Sequence, residues 1–353
     1  MARRHVVSLV SGLALAACAV VAAPEVTALR DGPVPYTHAD YDDRDEDFSF
    51  AIISDLTGSE RAGIFQVAVA DLNLLRPAFV MSVGDLIQGY TEDEVEIFRQ
   101  WDAFDAKVAP LVPPFFYVPG NHDISNPTMR AAWEQRLGPR YYHFVYKDVL
   151  FIALDSEDYD PALGEAAFEN PVLVPADKKV EQAEVTARRG EDPAVYRDWV
   201  ASLAWDGTMD GDLSDAQVAY VEDVLAANPD VRWTFLFLHK PLWQGEGSTA
   251  FGRIEAALGD RPYAVFAGHT HNYEHFESGR QIYIRLGTTG GGWVHEDEQD
   301  NFDHVVMVSM TADGPSIANL RLDGVLDETG KIPAGGEDLC FAEETCRARG
   351  EQP

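Results

Sequence analysis

Apolar residues along the chain fall into short runs whose spacing alternates between strand-like and helical. Phe48-Ser49-Phe50-Ala51-Ile52-Ile53 is a buried-strand run ending at Ser54-Asp55. Within 61–75, Ile64, Val67, Ala68 and Leu72 recur at helical spacing. A second strand is expected from Ala78 to Val83, ending at Gly84-Asp85. Residues 92–108 are helical through Val95, Phe98, Trp101 and Phe104. Phe115 to Val118 is a third strand, running into Gly120-Asn121-His122-Asp123. Strand, helix, strand, helix, strand predicts right-handed crossovers in a parallel sheet.

Further on, 141–146 and 149–155 predict a hairpin about Lys147-Asp148. Residues 157–211 are polar and weakly periodic, and are expected to form an inserted cap or long loop. Ser214 to Ala227 is a helix with Ser214 as N-cap and Gln217 three residues on. Strands follow over 231–238, 263–267 and 281–286. They lead into His239, Gly268-His269-Thr270-His271 and Gly287-Thr288-Thr289-Gly290-Gly291-Gly292. Residues 304–310 and 316–322 close the pattern as an antiparallel pair. There is no internal repeat.

Both ends depart from this pattern. Arg3, Arg4 and His5 form a positive start, and an apolar stretch runs from Val6 to Ala23. It is short and rich in small residues, which predicts an export signal over 1–23 rather than a membrane span. Two processing routes are open. Small residues near Ala22 and Ala23 suit signal peptidase, while Leu15-Ala16-Ala17-Cys18 resembles a lipobox and would place a lipid on Cys18. Residues 24–46 are acidic, contain Pro and lack periodicity, so a linker is expected before a folded domain over 47–325. The tail, 326–353, holds Cys340 and Cys346. In an exported chain so close a pair is expected to form a local disulfide, and with no nearby His it makes a poor zinc site.

Composition narrows the function. The 353 residues, 46% of them hydrophobic, suffice for one large domain or two small ones. Asp and Glu total 59 against 27 Lys and Arg, a net charge of −32, which repels phosphate backbones and sets nucleic acid aside as a partner. The acids are spread along the chain, as on a solvated acidic surface.

One regularity carries the chemistry. Asp55, Asp85, Asn121, His239, His269 and His271 each lie at or just past the C-terminal end of an apolar strand. In open α/β sheets that edge is where ligands bind. Carboxylates, an amide and imidazoles gathered there make a metal site with mixed oxygen and nitrogen donors. In order, the chain shows Asp55-Leu56-Thr57, Gly84-Asp85, Gly120-Asn121-His122-Asp123, His239 and Gly268-His269-Thr270-His271. This series resembles the calcineurin-like metallophosphoesterases, over roughly Phe48 to Leu322. The resemblance implies an α/β fold, a four-layered α-β-β-α sandwich.

It also implies hydrolysis of a phosphate ester by a metal-bound hydroxide at a dinuclear site. The cofactors would be two divalent metal ions, Fe, Mn or Zn, bridged by Asp85. Asn121, His239 and His269 would complete one site, and Asp55 and His271 would serve the other. His122 would stand near the leaving group as a proton donor, with Asp123 orienting it through its other ring nitrogen. The substrate would be a phosphorylated small molecule or protein. Position 57 departs from the family pattern, which has His where this chain has Thr57. The related purple acid phosphatases place a Tyr three residues after the bridging Asp; here that position is Gln88, and Tyr90 is the nearest Tyr. Tyr90 is therefore either a replacement ligand or a packed loop residue. The alternative to an enzyme is a non-catalytic or single-metal phosphate-binding relic of the same fold. A third class is an interaction protein that uses 157–211 for recognition.

Other features stay open at this level. The glycine run 287–292 is either a flexible turn or a set of amides facing phosphate. Tyr273 and His275 either line the pocket or pack at the surface. Lys178, Lys179, Arg188 and Arg189 are either solvated or a contact for anionic substrate.

Overall fold

The computed structural model describes residues 32–38, 47–158, 211–244, 248–293, 301–342 and 346. The leader with Cys18, and residues 159–210 of the insertion expected over 157–211, with Lys178, Lys179, Arg188 and Arg189, lie outside them.

Two sheets stack face to face. The first has the order β11-β10-β1-β2-β3, built from β1 (Phe48–Ile53), β2 (Val80–Ser82), β3 (Phe115–Phe116), β10 (His304–Thr311) and β11 (Gly314–Arg321). β1, β2 and β3 pair in parallel, as the crossover argument requires, and β10 joins β1 antiparallel. The second has the order β4-β5-β6-β7-β9-β8, from β4 (Tyr142–Tyr146), β5 (Val149–Ala153), β6 (Trp233–Phe237), β7 (Tyr263–Ala267), β8 (Glu274–Ser278) and β9 (Gln281–Arg285). The β4–β5 hairpin turns at Lys147 and Asp148, both with positive φ, 49° and 60°, which matches the twist of the flanking strands.

Strand alternation divides the core. Phe48, Phe50 and Ile52 face the space between the sheets, while Ala51 and Ile53 face the helices. Phe151, Phe235, Phe237 and Phe266 enter the same central space from the second sheet. Phe50 meets Phe79 stacked at 5.3 Å and Phe151 edge-on at 5.2 Å. Over the outer face of the first sheet lie α1 (Ile64–Leu75), α2 (Glu94–Val108) and α3 (Pro127–Leu137). Over the second lie α4 (Asp215–Ala227) and α5 (Thr249–Leu258). The result is a four-layered α-β-β-α sandwich.

Local signals explain the helix starts. Asp93 caps α2 by accepting from Val95 N, and Ser214 caps α4 by accepting from Gln217 N. The Gln217 side chain does not close a capping box. It accepts from Asp155 N and donates to Asp155 O, tying α4 to the end of β5. Two helices and one strand go beyond the sequence-based expectation: α3, α5 and the wholly exposed β8. Within the stretch expected as linker, residues 32–38 run along the free edge of β3, with Thr37 N on Phe115 O at 3.1 Å. At the other end a 3-10 turn, Pro333–Asp338, packs on α1, and Cys340 and Cys346 are joined with Cα atoms 5.4 Å apart. Among the described residues no helix is long and apolar enough to cross a membrane.

Candidate metal centre

The strand ends converge. Parallel strands point the same way, so loops after β1, β2, β3, β6 and β7 meet at one edge, and the two sheets bring their edges together. Two donor groups result. Asp85, His239 and His269 form one, and Asp55, Asp85 and His271 the other; within each, the donor atoms lie inside 4.8 Å of one another. Asp85 belongs to both. Asp55, Asp85, His239 and His271 are buried.

Backbone groups orient His239, His271 and Asp55. His239 Nδ1 contacts Val83 O at 2.9 Å, which turns Nε2 to Asp85 Oδ2 at 3.2 Å and to His269 Nδ1 at 3.1 Å. His271 Nδ1 contacts Gly292 O, and its Nε2 lies 3.4 Å from Asp55 Oδ1. Asp55 Oδ1 also accepts from His269 N at 3.0 Å, and its other oxygen accepts from Ser54 Oγ. Asp85, His269 and His271 hold φ of 58°, 77° and 60°. Such values are uncommon for residues with a side chain and gather at functional sites.

Asn121, expected to join the first group, lies in the loop after β3. Its Nδ2 donates to the Tyr90 hydroxyl at 2.6 Å. Its Oδ1 is buried and makes no hydrogen bond. A buried carbonyl oxygen without a donor is costly unless an ion takes its lone pairs. The electrostatics agree. Burial opposes ionisation of Asp85, but the charges of His239, His122 and His269 hold its carboxyl well below the usual carboxylate range. Burial also lowers His239, yet Asp85 pulls it up to about 9. Burial depresses His271 likewise, and Asp55 raises it overall. His269 falls well below its usual value through burial and then its neighbours His239 and Lys240. Two buried carboxylates thus draw positive charge into the site.

The Gly-Asn-His-Asp segment divides differently from the expectation. Asp123 does not orient His122. Its Oδ1 accepts from Leu86 N at 2.9 Å and Ile87 N at 3.1 Å, and its Oδ2 from Asp85 N and Gly120 N, both at 2.9 Å. The carboxylate is fully buried and ties the loop after β2 to the loop after β3. The His122 ring is held by the Gln88 carbonyl, 2.7 Å from Nδ1, and lies edge-on to Tyr90 with Nε2 3.9 Å from Asp85 Oδ2. Sequence reasoning gave Gln88, Val83 and Gly292 no such role, because they act through backbone carbonyls, which carry no side-chain signature.

Thr57 is buried and donates to Gln88 Oε1 at 3.0 Å. Tyr90 has its hydroxyl on Asn121 and its ring edge-on to His122. The glycine run is packed, not loose. Thr289 N and Gly291 N donate to Asp55 O, at 3.1 and 3.0 Å, and Gly292 N donates to Gly58 O at 2.8 Å. Tyr273 packs beside Phe302 and His304, while His275 lies on exposed β8.

The family model of calcineurin-like phosphoesterases matches residues 48–273. The chain belongs to this family. It is accordingly a phosphoesterase, and its donor groups support divalent metal binding. Among solved structures, this phosphoesterase is similar to a dimetal phosphatase from Danio rerio, with 15% identity, 78% of this chain and 98% of that chain covered, and a TM-score of 0.52. It is also similar to GAP50, the anchor in the inner membrane complex of Plasmodium, with 12% identity, 81% and 87% coverage and a TM-score of 0.47. For the purple acid phosphatase PPD1 of yellow lupin the figures are 14%, 80%, 53% and 0.46. At these identities the likeness concerns the fold alone. No curated protein matches the chain.

Proposed function

We propose that this phosphoesterase hydrolyses its substrate with two divalent cations, which its two donor groups would hold with Asp85 in common. The observation that carries this is the sharing of Asp85 between two donor groups, next to an Asn121 Oδ1 that has no other partner. Asn121, His239 and His269 would hold one cation, and Asp55 and His271 the other. A pair of divalent cations held there would supply an activated water and neutralise charge that develops on the phosphate. Imidazole, amide and carboxylate donors suit iron, manganese or zinc.

The chain's own residues do the rest. His122, held through Nδ1 at the Gln88 carbonyl, presents Nε2 at the open side of the site, where it protonates the departing oxygen. Asp123 fixes the spacing of Asp85 and Gly120 by binding both amides. Thr57 is engaged by Gln88, so the Asp55–His271 site has fewer side-chain ligands and binds its ion more weakly. The substrate is a phosphorylated small molecule or protein, and the acidic surface disfavours nucleic acid. Export of the chain is supported by the Cys340–Cys346 disulfide.

Metal-stripped protein should turn over an aryl phosphate only after Mn²⁺, Fe²⁺ or Zn²⁺ is returned, and Asp85→Ala should stay inactive with either site unable to fill. Tight metal uptake without turnover on any phosphate ester would favour the binding-only relic instead.

A further inference from the structure

We propose that Arg61 is a positioning residue for the Asp55–His271 half of the site, passing to it the anchorage of the C-terminal disulfide loop. This rests on the dinuclear reading above.

Arg61 lies in the loop between β1 and α1 that also carries Asp55 and Thr57. Its backbone N donates to Gly290 O at 2.7 Å. Its guanidinium grips the glycine run, with Nε and Nη2 donating to Gly291 O at 3.0 and 2.9 Å. Nη1 donates to Cys340 O at 3.1 Å, inside the disulfide loop. Nη2 also pairs with Asp303 Oδ1 at 2.5 Å, and the guanidinium carbon lies 3.9 Å from the Trp293 ring centroid. One side chain therefore joins three segments that are far apart in sequence.

The described residues at both ends of the disulfide loop are themselves held in place. Asp303 N donates to Phe341 O at 2.7 Å, Phe302 pairs with Ala342, and Cys346 is fully buried with its N on Ala342 O at 3.1 Å. On the other side, the glycine run lies flush on the first metal loop. A Cβ at Gly291 would stand 2.6 Å from Thr57 O and 2.9 Å from Asp55 O. The next residue, Gly292, gives its carbonyl to His271 Nδ1. That contact aims His271 Nε2 at the Asp55 side. Arg61 sets where Gly291 sits, Gly291 carries Gly292, and Gly292 sets the His271 ring. Sequence points to none of this, because Arg61 acts on carbonyls and on an aspartate 242 residues away.

Arginine is required by the geometry. Its planar fork reaches the Gly291 and Cys340 carbonyls and Asp303 together, whereas a lysine ammonium is one point charge. Partners that orient a metal ligand typically contribute about 10- to 100-fold to metal affinity. Arg61 acts one contact further out, so about tenfold is expected, and at one site only.

The test is calorimetric titration of metal-stripped full-length protein with Mn²⁺, beside thermal melting of each metal-free variant. Arg61→Lys keeps the ion pair to Asp303. Arg61→Met with Asp303→Asn removes both charges and leaves no buried carboxylate unpaired. Cys340→Ser with Cys346→Ser frees the loop. The weaker of two binding steps should fall about tenfold in the last two variants and less in Arg61→Lys, while the stronger step is unchanged. Equal weakening of both steps would overturn the proposal, because it would mean a general loss of structure. So would wild-type affinities at both steps. Wild-type protein that takes up only one ion would refute the dinuclear reading itself, and the proposal would fall with it.

Discussion

Gly120→Ala adds one methyl group at the centre of the site. Gly120 does not hold a positive φ, so the effect is chiefly one of space. The new Cβ would lie 2.3 Å from Asp85 Oδ1, 2.4 Å from Asp85 N and 3.0 Å from His239 Cγ. Carbon and oxygen approach to about 3.3 Å without repulsion, so the Asp85 carboxylate and its backbone nitrogen both have to retreat by roughly 1 Å. Overpacking of this kind costs about 1–3 kcal/mol of stability, which leaves a fold of ordinary stability standing. Function should suffer far more. A displacement of about 1 Å at a reacting centre costs on the order of 100-fold in turnover, and Asp85 serves both donor groups. Denaturant unfolding should show the modest loss, calorimetry should show both metal sites weakened, and aryl phosphate turnover should fall by about two orders of magnitude. Gly252→Ala is the control. It lies within α5, its Cβ would meet nothing within 4 Å, and it should gain about 0.5–1 kcal/mol with activity unchanged. If Gly120→Ala kept wild-type metal affinity and turnover, the geometry assigned to Asp85 would be wrong.

Three further outcomes are expected. Tyr90→Phe removes the acceptor on Asn121 Nδ2 and should weaken the Asn121–His239–His269 site about tenfold; weakening of the Asp55–His271 site instead would make Tyr90 a ligand there. His122→Ala should cut turnover by about 10²- to 10⁴-fold with metal uptake retained, and loss of both metals would show that ligand and proton donor have been confused. Burial holds His304 at about 4, with its Nε2 accepting from Gly287 N at 3.0 Å. In the unfolded chain a histidine takes up its proton near 6.5, so the unfolded state binds more protons in between. Stability is therefore lost as pH falls from about 6.5 to about 4, by roughly 3 kcal/mol from this residue. Denaturant midpoints across that range should be flatter for His304→Gln than for wild type, and parallel curves would refute the assignment.

Much of this was legible in the chain. Period-two and apolar runs located β1, β2, β3, β5, β6, β7, β9 and the closing pair, because a strand buried on one or both faces must show them. The polar residues that end those runs fell at one edge, because parallel strands share a direction. Two helices were legible in principle. Asn126 caps α3 ahead of Pro127, with Met129, Ala132 and Trp133 buried at helical spacing, and Ser248 caps α5 ahead of Phe251, Ile254 and Leu258. β8 was not legible, since every residue of Glu274–Ser278 is exposed and pairing with β9 alone makes it a strand.

The sequence by itself determined the inventory of the site: which carboxylates, amides and imidazoles stand at strand ends, and hence the class of chemistry. Only the tertiary structure decided what holds them. Residue types in Gly-Asn-His-Asp placed Asp123 beside His122, but the folded loops offered four amides to its carboxylate and gave His122 to the Gln88 carbonyl. The glycine run looked like a turn, yet it packs on the Asp55 loop and orients His271. The physical reason is that periodicity encodes which face of an element is buried, not which element lies beside it. Asp55 and His269 are 214 residues apart and meet only because the two sheets bring those edges together. Backbone carbonyls and amides are the same in every residue, so their partners are fixed by strand order and close packing alone.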